Sequence, residues 1–293
     1  MDAELFRERY EEYRAAVEDY LDTLFLGKPA WGALYESMRY SVLSGGKRIR
    51  PVLTLECARL GGVADWRDAL PFACALELVH TYSLIHDDLP CMDDDELRRG
   101  KPTNHVVYGE TLATLAGDAL QPEAYRLIAE APRLGDAAKI RAVEALARAS
   151  GADGMVAGQV LDLADHGCDR ETLTDLCERK TCFMLRGAAE LGCAAAEATE
   201  ALTKAASRYA MRLGLAFQIR DDLLDVIGDE ATFGKPIGSD KGEGKTTFAD
   251  LLGTDGCAAE VRRLTDEAIA ALDGVDENDF LVQLAKNLAE REA

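Results

Sequence analysis

Several ingredients are scarce in this sequence, and each shortage excludes something. β-Branched residues nowhere alternate with polar ones, and no Asn-Gly pair marks a hairpin, so a sheet-based fold is not expected. The eight cysteines (Cys57, Cys74, Cys91, Cys168, Cys177, Cys182, Cys193 and Cys257) form no Cys-x-x-Cys pair. Several fall inside apolar helical patterns, which points to buried thiols in a reducing cytoplasm rather than a disulfide framework or a zinc site. Long apolar runs are missing as well. The most apolar stretch, Ala69 to Ile85, is broken by Glu77 and His80, so it reads as a buried helix and no membrane insertion is expected. The opening MDAELFRERYEEYR is charged throughout, without the apolar core of a signal peptide. Basic residues are outnumbered, 33 against 53 acids, for a net charge of −20. Nucleic acid is therefore not an expected partner, because a phosphate backbone calls for a basic face.

What remains is helical. Of 293 residues 48% are hydrophobic, enough for a large core, and the eight prolines fall mostly between periodic segments. The pattern predicts helices near 2–25, 31–43, 48–60, 67–88, 106–130, 137–150, 152–164, 171–190, 197–227, 247–252, 257–271 and 276–290. Gly45-Gly46, Gly61-Gly62, Gly100-Lys101-Pro102, Gly228 and the glycine-rich 234–244 separate them. Pro122 lies inside a helical pattern and predicts a kink or a break. No linker-like run or composition shift divides the chain, so residues 1–293 read as one all-α domain with long helices around a shared core.

One acidic pattern recurs. Asp87-Asp88-x4-Asp93 follows an apolar helix, and Asp221-Asp222-x-x-Asp225 follows another 134 residues later. Six of the ten residues from Asp87 to Glu96 are acids. Such a cluster repels itself unless cations neutralise it. Asp221 and Asp225 are four apart and share a helix face, with Gln218 about one turn earlier. Pro90 should end or bend the first helix and swing Asp93 back toward Asp87. Carboxylate oxygens are hard ligands that suit Mg²⁺, which takes one or two carboxylates and completes its shell with water and phosphate oxygens. The alternative is a solvated acidic surface. Against it, LELVHTYSLIHDD and YAMRLGLAFQIRDDLLD both carry buried-looking helix into the acids.

Cations stand close by in the chain. Arg98-Arg99 follow the first acidic motif, and GGKRIRP at 45–51 offers a glycine loop with Lys47, Arg48 and Arg50. Glycine lets backbone approach an anion, lysine gives a point charge, and arginine a bidentate fork. His80 precedes Asp87 by seven residues, nearly two turns, and shares its helix face. Lys180-Thr181, Lys235 and Lys245 come later. GSDKGEGKTT at 238–247 imitates a phosphate-binding P-loop, but five residues rather than four separate Gly238 from Gly244 and no strand precedes it. Two groups of cations suggest two anionic ligands, one reached through metal and one bound directly.

In order and spacing, GGKRIRP, ELVHTYSLIHDDLPCMDDDELRRGKPTNH, GDAL, GQVLD, KT at 180–181, FQIRDDLLD, GKPIGSD and GKTT resemble the trans-prenyltransferases, the isoprenyl diphosphate synthases, over nearly the whole chain. Within that family the resemblance is greatest to the bacterial farnesyl class. It implies an isoprenoid-synthase-type bundle of about ten or more helices around a central cavity, a homodimer, and condensation of isopentenyl diphosphate with an allylic diphosphate. Asp87, Asp93 and Asp221 resemble the ligands of three Mg²⁺ ions, with Mn²⁺ as a possible substitute. Asp88, Asp222 and Asp225 resemble residues that support those ligands. Arg98, Lys180, Gln218, Lys235 and Lys245 resemble residues around the allylic diphosphate. Lys47, Arg50, His80 and Arg99 resemble the metal-free isopentenyl diphosphate site. The implied mechanism is ionisation, condensation and elimination, with the allylic cation facing the Lys180 and Thr181 carbonyls and the Gln218 amide oxygen.

Tyr82, five residues before Asp87, resembles the floor of a farnesyl-sized pocket, with Leu78 a turn earlier. The Pro90-Cys91 insertion also resembles the bacterial farnesyl class. A C15 product is expected, with geranyl or geranylgeranyl diphosphate as the alternatives. A non-catalytic partner subunit would be marked by loss of an acidic motif or its arginines, and all are present. A terpene cyclase would not need GGKRIRP or Arg99. The NLAEREA segment is less basic than in many family members; Arg291 is left as an alternative reach into the isopentenyl site and is not counted among the site residues.

Overall fold

The computed structural model describes residues 1–164, 168–227 and 245–291. Helix α1 (Ala3–Asp22) begins where the Asp2 carboxylate accepts hydrogen bonds from the amides of Glu4 and Leu5, donors that the first turn leaves unpaired. Its buried stripe of Phe6, Tyr13, Val17 and Leu21 follows the helical period. Helices α2 (Gly32–Val42) and α3 (Ile49–Leu60) follow, and a 3-10 turn at Trp66–Ala69 leads into α4 (Leu70–Asp87). α4 is buried on all sides, with Phe72, Cys74, Leu76 and Leu78 fully covered. A helix apolar all round has no solvent face to present, so it takes the middle of the bundle.

Beyond α4 the chain makes a short hairpin, β1 (Leu97–Arg98) against β2 (Lys101–Pro102), then α5 (Asn104–Tyr108) and α6 (Glu110–Ala129). Helices α7 (Asp136–Ser150), α8 (Met155–Ala164), α9 (Arg170–Cys177), α10 (Phe183–Ala195), α11 (Glu200–Ile227), α12 (Phe248–Ala270) and α13 (Asp279–Glu290) complete the described residues. α4 packs along α6 and touches α1, α2, α3 and α10, while α11 packs along α12 and α10. The all-α expectation is borne out.

Several local expectations are corrected. The hairpin leaves no trace in the sequence pattern, because two-residue strands are too short to show alternation. Its turn uses Arg99 and Gly100, both at positive φ (54° and 72°), in place of the Asn-Gly that would have signalled it. Pro122 does not break α6, which runs through it from Glu110 to Ala129. The carbonyl that Pro122 cannot pair belongs to Asp118, an exposed residue that water can serve. The pattern expected as one helix over 106–130 divides at Gly109, whose φ is 82°. The two helices expected at 247–252 and 257–271 form one element that changes course at Gly253 (φ 66°, ψ 171°). The helix expected over 171–190 is interrupted by a π-turn, Glu178–Cys182.

Arg48 also departs from expectation. GGKRIRP lacks a period that would tell which way each side chain faces, and Arg48 faces inward, away from its neighbours' anion-binding role. Its Nε donates to Glu18 Oε1 at 2.8 Å, Nη1 to Glu77 Oε1 at 2.6 Å, and Nη2 to the Val42 carbonyl at 2.7 Å. The residue holds φ at 51°, a left-handed value that the network must stabilise. It thereby pins the loop 45–48 to α1 and α4. Removing one partner of a buried ion pair strands the others. Arg48→Ala should therefore lower unfolding stability by roughly 3–5 kcal/mol, read as a lower urea midpoint, and a shift under about 1 kcal/mol would contradict the reading.

Candidate active site

α4 ends at Asp87, and the chain folds back at once. The Asp93 amide donates to the Asp87 carbonyl at 2.9 Å, and the amides of Met92 and Asp94 both donate to the Leu89 carbonyl, at 2.8 and 3.2 Å. The expected return of Asp93 toward Asp87 is thus present. Burial pushes the Asp87 carboxyl up to about 6, against the pull of Lys180, with Asp93 adding to the rise and Arg98 opposing it. Asp88 is buried and receives Arg98, whose Nε lies 2.7 and 3.0 Å from its two oxygens. Arg98 also reaches Asp95 at 3.5 Å. Arg98 is therefore committed to holding the acidic loop.

The π-turn presents Lys180 and Thr181. Here the Phe183 amide donates to the Glu178 carbonyl five residues back, so one surplus residue widens the turn. α8 lies hard against it at Gly158, where an added Cβ would stand 2.3 Å from the Lys180 nitrogen. This gives the glycine of GQVLD its reason. The aspartate of the same motif has no role assigned from sequence, yet Asp162 gathers the lysines. Its Oδ2 lies 2.7 Å from Lys180 Nζ and 3.3 Å from Lys245 Nζ. Lys245 also stands 3.6 Å from Asp93 Oδ1. Asp93, Lys245, Asp162 and Lys180 thus form a chain of alternating charge from the first acidic loop to the π-turn.

On α11, Thr181 Oγ1 donates to Gln218 Oε1 at 3.4 Å, and Gln218 Nε2 donates to Asp222 Oδ1 at 3.0 Å. The other Asp222 oxygen accepts the Phe248 amide at 2.8 Å, tying α11 to the start of α12. Asp222 is buried and orients Gln218, while Asp225 is half-buried one turn beyond Asp221. Asp221 is ion-paired with Arg291, a residue that sequence reasoning does not count in the site. A lone arginine after a helix carries no pattern that would reveal the pairing.

The basic loop meets the hairpin. Arg99 Nη1 donates to the Gly45 carbonyl and lies 3.4 Å from Ser44 Oγ. A Cβ on Gly46 would fall 2.7 Å from Arg99 Nη1, and Gly46 holds φ at 134°, so only glycine suits the position. Arg50 Nη1 is 3.5 Å from His80 Nε2. Burial, helped by Arg50 and Arg99, holds His80 well below the usual histidine range, so the ring is neutral. Burial likewise lowers Lys47, and Arg291 adds to that fall while Asp221 opposes it. Lys235 lies outside the described residues, as does the whole of the loop 234–244.

A cavity of about 490 Å³ joins these parts. Arg50, His80, Asp87, Lys180 and Thr181 line it together with Tyr82, Met92, Met155, Val160 and Leu163. Tyr82 is 8% exposed, and its ring meets that of His86 edge-on at 5.8 Å. Leu78 is fully buried in the core and is not part of the cavity wall.

The donor set fits Mg²⁺. Among the described residues no three carboxylate, histidine or cysteine groups converge tightly enough to enclose an ion unaided. Hard oxygens from Asp87 and Asp93 on one side and Asp221 on another leave coordination positions for water and a phosphorylated ligand. The buried charge on Asp87 also carries a cost without metal. As pH rises from the ordinary carboxylate range through about 6, the folded state is the better proton binder and loses stability. Asp87→Asn should raise the metal-free stability near neutral pH by on the order of 1–3 kcal/mol, while losing most of the thermal shift that wild type gains from Mg²⁺ with pyrophosphate. A less stable metal-free variant would count against the reading.

Comparison with known proteins agrees with this geometry. The polyprenyl synthetase family model matches residues 32–283. The chain is 46% identical over 250 residues to a farnesyl diphosphate synthase of Geobacillus stearothermophilus, covering 84% of each chain. It is 43% identical over 263 residues to a geranylgeranyl diphosphate synthase of Cyanophora paradoxa, covering 88% of this chain and 86% of that one. The crystal structure of an FPP/GFPP synthase from Zymomonas mobilis superposes with a TM-score of 0.88 at 35% identity, covering 98% of this chain and all of the other. With two aspartate motifs, the first reaching the cavity through Asp87 and the second carried on α11, and a family match over residues 32–283, this protein belongs to the polyprenyl synthetase family.

Proposed function

We propose that the chain is a Mg²⁺-dependent prenyltransferase that condenses isopentenyl diphosphate head-to-tail with dimethylallyl and geranyl diphosphates, giving farnesyl diphosphate and pyrophosphate. The observation that carries this reading is the cavity, which sets Asp87, Lys180 and Arg50 on the same wall as apolar side chains able to cover a prenyl tail. A phosphate-binding site alone would not need that apolar lining.

Asp87, Asp93 and Asp221 would hold three Mg²⁺ ions, which when bound supply Lewis-acid stabilisation of the departing diphosphate. Lys180 and Lys245, already aligned on Asp162, bind the allylic diphosphate, and Arg98 acts through its hold on Asp88. Lys235 belongs to the same group by resemblance. Lys47, Arg50 and Arg99 bind the isopentenyl diphosphate, beside a neutral His80 that adds a hydrogen bond without adding charge. The allylic C–O bond breaks with its electron pair leaving on the diphosphate. Gln218 Oε1, oriented by Asp222, and the carbonyls of the π-turn face the resulting cation as fixed dipoles. The isopentenyl double bond attacks that carbon, and the proton lost in elimination passes to the released pyrophosphate.

Tyr82 is the proposed stop for the growing tail, with Leu78 supporting it from the core. Exposed apolar side chains outside the cavity, among them Ile140 (69% exposed) on α7, support homodimerisation. The buried thiols Cys57, Cys74, Cys177, Cys182, Cys193 and Cys257 support a cytoplasmic location, and no helix of the described residues is long and apolar enough to cross a membrane.

Incubation with Mg²⁺, isopentenyl diphosphate and dimethylallyl diphosphate should yield mainly farnesol after dephosphorylation, and EDTA should abolish it. Tyr82→Ala should move the main product to C20 or longer while keeping condensation. Geranylgeraniol from the wild type would remove Tyr82 as the stop, and absence of condensation with any allylic primer would favour the partner-subunit reading.

A further inference from the structure

Arg291 stands just beyond α13 and is held by three neighbours on a single turn of α11. Its carbonyl accepts from Arg220, with Nε at 3.0 Å and Nη2 at 2.5 Å. Its guanidinium stacks 3.9 Å above the Phe217 ring, and Nη2 reaches the Phe217 carbonyl at 3.2 Å. The same Nη2 donates to Asp221 Oδ1. The side chain is only 10% exposed, and its Nε is buried with no hydrogen-bond partner among the described residues. An exposed tether would have none of this support. The segment FQIRD builds a receptor for this guanidinium, and the receptor's anion is the carboxylate assigned to metal.

A carboxylate can hold two cations only with their charges close together, and Arg291 Nη2 already occupies Asp221 Oδ1. An ion bound at ~2.1 Å from an Asp221 oxygen would sit beside the guanidinium, and their repulsion is strong where burial thins the water between them. Lys47 makes the crowding worse, since its own charge is already opposed by Arg291.

We propose that Arg291 is a resident counter-ion of Asp221 that competes with divalent metal, so that metal loading on α11 and displacement of the Arg291 guanidinium are one exchange. This rests on the metal reading given above and adds to it a residue that sets how much metal the site requires. In the exchange no bond is made or broken covalently: Asp221 trades one positive partner for another. The Arg220 clamp on the Arg291 carbonyl keeps the backbone in place, so only the side chain need move.

The test is Mn²⁺ binding to the full chain, followed by electron paramagnetic resonance in the presence of inorganic pyrophosphate. Arg291→Ala and Arg291→Gln should each bind the most weakly held Mn²⁺ about five- to thirty-fold more tightly than wild type, the equivalent of about 1–2 kcal/mol of lost competition. The second variant keeps much of the side chain's reach, and circular dichroism confirms folding of both. Asp221→Asn should lose one bound ion. Unchanged or weaker Mn²⁺ affinity in both arginine variants, with normal binding by wild type, would overturn the exchange alone. No Mn²⁺ bound by wild type, or a full complement bound by Asp221→Asn, would take the metal away from Asp221 and the exchange with it.

Discussion

Like charges forced together beside an apolar cavity are the constraint on which the rest of the structure depends. Asp87, Asp88, Asp93, Asp162, Asp221 and Asp222 could not stand on these packed elements if each kept an unopposed charge. Most are neutralised locally: Asp88 by Arg98, Asp162 by Lys180 and Lys245, Asp93 by Lys245, and Asp221 by Arg291. Asp222 is satisfied by two hydrogen bonds, one from an amide that starts a helix. Asp87 differs, because burial outweighs the pull of Lys180 and leaves it with a raised affinity for protons. The site is thus electrically incomplete at the residue that ends the central helix.

The scaffolding of this arrangement is largely a matter of close approach. α8 can touch the π-turn because residue 158 has no side chain, and the basic loop can receive Arg99 because residue 46 has none. Arg48 then fixes that loop from beneath through Glu18 and Glu77. Lys47 and Arg50 flank an arginine that faces the other way, so a single short stretch serves both the core and the site.

The helices and the acidic motifs are legible in the sequence for a simple reason. Helical burial and i, i+4 spacing are periodic, and period is what a sequence displays. Asp221 with Gln218, and His80 with Asp87, fall on common faces by that reasoning alone. Position in three dimensions has no such signature when it arises between elements. Asp162 meets Lys180 and Lys245 across 18 and 83 residues of chain, and Arg291 meets Asp221 across 70. Neither pairing has a local pattern. Arg48 reads alongside Lys47 and Arg50 because adjacent residues in a loop give no hint of which one turns inward. The resemblance to prenyl diphosphate synthases supplies roles for the motif residues but is silent on these cross-chain partners.

The π-turn at Glu178–Cys182 has a consequence for how this chain can change over generations. One extra residue in a helical turn sets α9 out of phase with α10 by about 100°. Loss of a single codon there would restore a continuous helix and improve its hydrogen bonding, while rotating Lys180 away from Asp162. Substitutions in this stretch can be sampled one at a time, but a one-residue deletion would trade local regularity for loss of the lysine's aim. Chain length through residues 178–182 is therefore expected to be more constrained than the identity of the side chains around it.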